Sequence, residues 1–371
     1  PQQLRLRILD TVRLSPPPAP AQHAAALPLS GLDADRNALD VTFRTLRFFP
    51  PPPPSIDPHA ALPPAFEAAL GLFPALAGRL RDGHVEVGAG AVPIVLAESG
   101  LSTSDVDTDC PGSALLDRLA PPGDGDADAD AGTPALALQA TRFACGGVAL
   151  GMRVAHALCD GAGATKFLAA AARFARGQGP PEVAPVWERR ELLGPRRPPR
   201  VATQVFDRVL ALDGGVARCG PYGANETSSG EVVKMVYSMN INKLVDPPLP
   251  DGYWGNVCVP VYVALAACDL VAQPLAATAA LIRRSKQAVD DEYVRSYVDF
   301  QELHRHDGVT AGAVSAFTDW RRLGHGEVDL GWGGPDSVLP LSWRILGSTE
   351  PCFLLPYGAG DKRRRGGFKV F

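Results

Sequence analysis

The chain lacks several features that would have set its function early. There is no surplus of positive charge, since 36 Lys and Arg against 40 Asp and Glu leave a formal net charge of -4. Such a balance supplies no overall field for nucleic acid or for an anionic membrane surface. The seven cysteines (Cys110, Cys145, Cys159, Cys219, Cys258, Cys268 and Cys352) are scattered, odd in number and never in a C-x-x-C pair. Neither a disulfide framework nor a metal site is expected from them, and a reducing, cytoplasmic setting fits. The longest apolar stretch, Val257 to Ala272, contains Pro260 and Asp269 and falls short of a membrane-spanning helix. The opening residues PQQLRLRILD do not follow the charged-then-apolar order of a secretory signal. A G-x-S-x-G elbow and a G-x-x-x-x-G-K-[ST] loop are both missing, so a serine hydrolase or P-loop nucleotide site has no basis.

What is present describes a soluble globular chain: 371 residues, 46% hydrophobic and 20% charged. At roughly 150 residues per domain this length predicts two domains, with a small molecule as the natural partner. The 38 glycines and 36 prolines cluster locally and mark loops. Pro50 to Pro54 must be extended, and the acidic, small-residue stretch 121–132 reads as a solvated loop. Residues 188–200 mix prolines with Arg189, Arg190, Arg196, Arg197 and Arg200 and read as an interdomain crossover with few core contacts. The expected organisation is an N-terminal domain over 1–180, a crossover over 181–205 and a C-terminal domain over 206–371.

Periodicity adds local structure. Phe66, Leu70, Phe73, Leu76 and Leu80 keep helical spacing and predict a helix over 61–80 despite Pro74. The apolar runs 135–143 and 148–155, separated by Ala144 to Gly147, predict a hairpin. Phe167, Leu168, Ala171, Phe174 and Ala175 then predict a helix over 162–176 ending at Gly177. His156-Ala157-Leu158-Cys159-Asp160-Gly161 therefore falls where a strand gives way to a helix. A histidine there stands at a layer edge, where clefts form, and a neutral imidazole accepts a proton near neutral pH. Asp160 has two possible roles on this turn: to orient the ring, or to tie the turn to the scaffold. Gly161 and Gly163 allow a tight corner. Hairpins mixed with separate helices indicate α/β or α+β layers.

Two further segments keep company with this hexapeptide. One is Pro247-Pro248-Leu249-Pro250-Asp251-Gly252-Tyr253-Trp254-Gly255-Asn256. The other is Thr318-Asp319-Trp320, followed by Asp329-Leu330-Gly331-Trp332-Gly333. In this order the three resemble the H-x-x-x-D, P-P-L-P-x-G-Y-x-G-N and D-F-G-W-G motifs of the plant BAHD acyl-CoA-dependent acyltransferases. The resemblance runs over most of the chain. It implies an α/β fold of two similar chloramphenicol-acetyltransferase-like domains joined by a crossover loop, with a channel between them. It implies that His156 is the general base for direct attack of an acceptor on a thioester, with Trp320 and Thr318 as donors to the oxyanion. Acyl-CoA would be a co-substrate, not a bound cofactor, and the enzyme a monomer.

By the same resemblance Asp160, Gly161, Asp329, Gly331, Trp332 and Gly333 are structural. The arginine that the family places opposite Asp160 is here Asn242, so Asp160 must use another partner or backbone donors alone. Leu330 replaces the family's phenylalanine and keeps an apolar plug. The acyl group is expected to be hydroxycinnamoyl or benzoyl. The acceptor is an amine, such as a polyamine or arylalkylamine, or an alcohol, and Asp319 beside the site tilts the reading toward amines. Alternatives are an acetyl- or malonyl-CoA O-acyltransferase and a non-catalytic acyl-CoA binder. A carrier-dependent condensation domain would need a second histidine where Ala155 stands. Residues contacting CoA are not identifiable. His304-Arg305-His306-Asp307 and Lys362-Arg363-Arg364-Arg365 read as solvated loops. Enzymes of this kind are usually longer, and a strand and helix of the C-terminal domain are expected to be missing near Ala224–Asn225.

Overall fold

The structure is a computed structural model that describes residues 6–17, 26–35, 39, 41–81, 83–88, 90–109, 113–123, 133–203, 206, 232–306, 314–341, 351–357 and 367–370. Most of the acidic stretch 121–132, Asp307, the Ala224–Asn225 position and the Lys362–Arg365 run lie outside these residues.

The first part of the chain carries β1 (Leu6–Leu14), β2 (Ala26–Pro28), β3 (Thr42–Phe49), α1 (Pro58–Leu72), β4 (Arg79–Arg81) and β5 (His84–Glu86). Then come β6 (Val92–Ser99), α2 (Ala114–Asp117), β7 (Thr133–Pro134), β8 (Leu136–Phe143), β9 (Val148–Ala155) and α3 (Gly161–Ala175). After α4 (Arg189–Leu193) follow β10 (Val232–Asn240), β11 (Cys258–Ala266), α5 (Ala267–Ala272), α6 (Leu275–Gln287) and α7 (Asp291–Leu303). The remaining strands are β12 (Val314–Asp319), β13 (Ser337–Pro340), β14 (Cys352–Pro356) and β15 (Phe368–Val370).

Two mixed sheets dominate, a six-stranded one in the order β1-β6-β8-β9-β3-β13 and a five-stranded one in the order β11-β10-β12-β14-β15. β8 and β9 form the predicted antiparallel hairpin. All eight residues of β3 are buried, as expected of a strand covered on both faces. The outer strand β1 instead exposes Arg7, Asp10 and Arg13, charges that blunt an open edge. β13, from late in the sequence, pairs antiparallel with β3 (Val338 opposite Arg47), so the first sheet is completed by the second half of the chain.

The helix expected over 61–80 is instead Pro58–Leu72, followed by a 3₁₀ turn at Pro74–Ala77 and by β4. Asp57 caps its start, with its side chain accepting from His59 N at 3.1 Å and proline in the first turn. Its end is dictated by Pro74, which has no N–H to donate back and disfavours helical geometry in the residue before it. α3 matches its predicted span, and Gly177 follows with φ of 69°, a left-handed conformation that stops a helix cheaply only in glycine. α1 and α3 pack on the first sheet through Phe66 and Phe167, whose ring centroids lie 5.9 Å apart.

The crossover is more anchored than its composition suggested. Arg189 and Leu193 are buried, and Arg196 bonds both Asp299 and Glu292 of α7. Long arginine stems bury apolar length while their guanidinium groups find acids across a groove, so an arginine-rich segment need not be solvated. Among the described residues no helix is long and apolar enough to cross a membrane, and no group of side chains could hold a metal ion.

Candidate active site

His156 follows directly on β9, and its backbone is fixed from both sides. Its N–H donates to the carbonyl of Val41 at 2.8 Å, and its carbonyl accepts from Asn256 Nδ2 at 2.8 Å. The imidazole is half-buried, with Phe43 edge-on at a centroid distance of 6.0 Å. Its Nδ1 is enclosed and makes no hydrogen bond among the described residues.

Asp160 takes the second of its two possible roles. One carboxylate oxygen accepts from the N–H groups of Ala162 and Gly163, both at 3.0 Å, and so caps α3. The other accepts from Val257 N at 3.1 Å. Backbone donors thus replace the arginine that Asn242 displaced, and the side-chain oxygen of Asn242 is itself buried without a partner among the described residues. Neighbouring Cys258 has its thiol pushed well up, first by burial and then by the charge of Asp160.

The ring of His156 looks into a cavity of about 170 Å³ where the two sheets approach. Phe43, Thr318, Trp320 and Leu323 line it together with Asp35 from the 30–35 loop and Ser238 of β10. The three residues read from sequence as catalytic therefore share one space. Trp320 is 4% exposed and packs edge-on against Phe43 and Phe353, at 5.2 and 5.1 Å. Gly161 has a local reason to be glycine, because a Cβ there would come within 2.9 Å of Leu323 Cδ1 and 3.9 Å of the Trp320 indole nitrogen.

Asp319 also borders the cavity, but Arg321 engages it at 2.6 and 2.9 Å. The hydrogen bonds from Arg321 hold its carboxyl below the usual carboxylate range. Its charge is answered two residues away, which removes the ground for reading it as the attractor of an amine.

The D-L-G-W-G segment lies apart from this cavity. Asp329 Oδ1 accepts from Gly331 N and Gly333 N, both at 2.9 Å, in a loop whose glycines have φ of 101° and 120°. Only glycine adopts such angles without strain. Leu330 is buried in the first core, and Arg176 of the α3 terminus donates to the Asp329 carbonyl.

One group of residues escaped the sequence reading. Asp33, fully buried, accepts from Asn256 N and Nδ2 at 2.9 Å each, from Ser30 N at 3.1 Å and from Arg189 at 3.2 Å. Arg189 in turn lies over Trp254, 4.7 Å from its ring centroid. Asp33 thereby orients the Asn256 amide that holds the carbonyl of His156. The signal was half visible, since Asn256 closes the P-P-L-P segment, whereas Asp33 sits in a short polar loop with no periodicity.

The profile of the Transferase family, the BAHD group of acyltransferases, matches residues 14–214 and 216–364. The chain belongs to this family. It is an acyl-CoA-dependent acyltransferase. The 3'-N-debenzoyl-2'-deoxytaxol N-benzoyltransferase of Taxus canadensis is 31% identical over 346 residues, covering 81% of this chain and 77% of that one. The spermidine coumaroyl-CoA acyltransferase of Arabidopsis thaliana is 27% identical, covering 95% and 89%. That aligned span, 417 positions, exceeds the 371 residues of this chain, so the relative carries segments that this chain lacks. Among solved structures, vinorine synthase superposes with a TM-score of 0.72 at 20% identity, covering 94% of this chain and 91% of that one. The fold is thus the family's pair of chloramphenicol-acetyltransferase-like domains, each built on a mixed sheet.

Proposed function

We propose that this acyltransferase moves an aromatic acyl group, benzoyl or hydroxycinnamoyl, from its CoA thioester to an amine or alcohol held against His156. The observation that carries the proposal is a half-buried imidazole, fixed through its own backbone, opening into a cavity walled by Phe43, Trp320 and Leu323. Planar apolar walls favour an aromatic acyl group over acetyl or malonyl. Relatives named for benzoyl and coumaroyl transfer point the same way.

With Nδ1 enclosed, Nε2 is the nitrogen that takes the acceptor's proton as its oxygen or nitrogen attacks the thioester carbonyl. A new C–O or C–N bond forms, the carbonyl oxygen gains negative charge, and the C–S bond then breaks. The proton passes from His156 to the departing thiolate, which leaves as free CoA. No bond to the enzyme is made. Trp320 and Thr318 line the same cavity as His156, which supports assigning the indole N–H and the hydroxyl as donors to the developing oxyanion, where preorganised donors act most strongly.

His156→Ala tests the base directly, with an expected loss of about 10²–10⁴ in kcat. Turnover equal to that of the unaltered enzyme would overturn the assignment and favour an acyl-CoA binder. A mass-spectrometric matrix of benzoyl-, coumaroyl-, acetyl- and malonyl-CoA against amines and alcohols tests the donor. Preference for acetyl- or malonyl-CoA would refute the aromatic reading.

A further inference from the structure

We infer that Arg47 and His325 bind a small inorganic anion of the halide class behind Trp320, at a site separate from the catalytic cavity. Arg47 stands in β3, an interior strand of the first sheet, and is 1% exposed. The residues opposite it, Leu150 on β9 and Val338 on β13, share its face of the sheet and are buried and apolar. Its guanidinium makes one hydrogen bond, from Nη1 to Thr45 Oγ1 at 2.9 Å, and its Nε is enclosed without a partner among the described residues. Burial alone lowers its pKa, to about 10, and no acid acts against that shift.

Phe43, Thr45 and Arg47 alternate onto one face of β3, the face on which Phe43 meets Trp320. His325 approaches it from the turn that follows Trp320. Both nitrogens of this buried ring are unpartnered among the described residues, and the charge of Arg47 acts on the ring while no acid does. A guanidinium and an imidazole thus neighbour each other in an apolar setting without a counter-charge.

A lysine could shed its proton there, but a guanidinium at neutral pH cannot. Burying a charge unpaired is among the costliest things a fold can do. Water would satisfy the Nε–H and leave the charge standing, whereas an anion answers both. It accepts from Arg47 Nε and from the ring nitrogen of His325 that carries hydrogen, and so ties β3 to the turn after β12. Both side chains are nearly sealed from solvent, and neither lines the cavity at His156, so the fitting occupant is monatomic and not a phosphate or a substrate carboxylate.

The test is thermal unfolding near neutral pH in sodium chloride against sodium gluconate at matched ionic strength, gluconate being too bulky to enter. Chloride should raise the Tm of the unaltered enzyme saturably, by about 2–4 °C once the site is filled. Arg47→Met keeps the length of the stem and removes the charge, and should unfold at one temperature in both salts. His325→Leu keeps the charge and loses one donor, so the midpoint of its chloride response should move to about tenfold higher concentration. In gluconate His325→Leu should be more stable than the parent, and chloride should narrow the difference. Equal Tm values for the unaltered enzyme in both salts would mean that water alone satisfies Arg47, and would overturn the inference. An undiminished chloride response in Arg47→Met would overturn it too, by placing the ion elsewhere.

A second measurement needs no variant to fold. Crystals of the unaltered enzyme soaked in sodium bromide should give an anomalous peak at hydrogen-bond distance from Arg47 Nε. Bromide peaks confined to the protein surface would overturn the site.

Discussion

His325 offers a quantitative test of how the wall behind Trp320 is built. It opens a 3₁₀ turn, His325–Glu327, with its ring centroid 5.9 Å from that of Trp320. The side chain is 7% exposed, and neither ring nitrogen has a hydrogen-bond partner among the described residues. Burial, and then the charge of the fully buried Arg47, lower its pKa from 6.5 to about 3. The folded protein therefore keeps the ring neutral while the unfolded chain protonates it. Stability contributed by the neutral ring is fully present above 6.5 and is lost progressively as pH falls from there toward 3. At about pH 5 the deficit is roughly 1.5 pH units of protonation, or about 2 kcal/mol. His325→Leu, similar in volume and unable to titrate, abolishes this pH-dependent part. It also removes two unsatisfied nitrogens, a gain of about 1–3 kcal/mol at every pH. Urea unfolding at about pH 7.5 and about pH 5 should show the parent losing about 2 kcal/mol more than the variant between the two conditions. Parallel losses in the two proteins would refute the reasoning.

Three further expectations can be checked with single substitutions or one reagent. Trp320→Phe keeps the edge-on contacts with Phe43 and Phe353 but deletes the indole N–H, so kcat should fall about 10²-fold with little change in KM; an unchanged kcat would reduce Trp320 to packing. Asp33→Asn leaves the buried Arg189 without its counter-charge and should cost about 3–5 kcal/mol in thermal or urea unfolding, whereas a loss under about 1 kcal/mol would mean that the pair is not closed in solution. Burial opposes ionisation of Cys145, yet hydrogen bonds from Ser102, Thr103 and Gly147 outweigh it and bring its thiol from 9.0 to about 7. Iodoacetamide labelling followed by peptide mass spectrometry should therefore reach half its maximal rate at Cys145 near pH 7, and a midpoint near 9 would contradict it.

The parts of this molecule that were legible in sequence are those whose signal is local. The β8–β9 hairpin, α3 and the junction carrying His156 are each written in a short continuous stretch between Leu136 and Ala175, with alternation, helical spacing and a capping aspartate all agreeing. β13 was not legible, because four residues after a glycine-proline break hold no pattern of their own and become a strand only by pairing with β3. The crossover misled for a related reason. Proline and arginine describe a solvated segment until acids on α7 and in the 30–35 loop, about a hundred or more positions away in sequence, are brought to meet them.

Long-range pairing also redistributes the acids around the cavity. Asp319, adjacent to Trp320 in sequence, looked like the group an amine would seek, yet Arg321 satisfies it locally. Asp33 and Asp35, two residues apart in an unpatterned loop, look interchangeable in sequence. The fold gives one to Asn256 and Arg189, where it supports the His156 backbone, and turns the other, braced by Tyr297, into the cavity. The backbone of His156 is thus held through Asn256 by Asp33, a residue remote in sequence from every motif that reveals the chemistry.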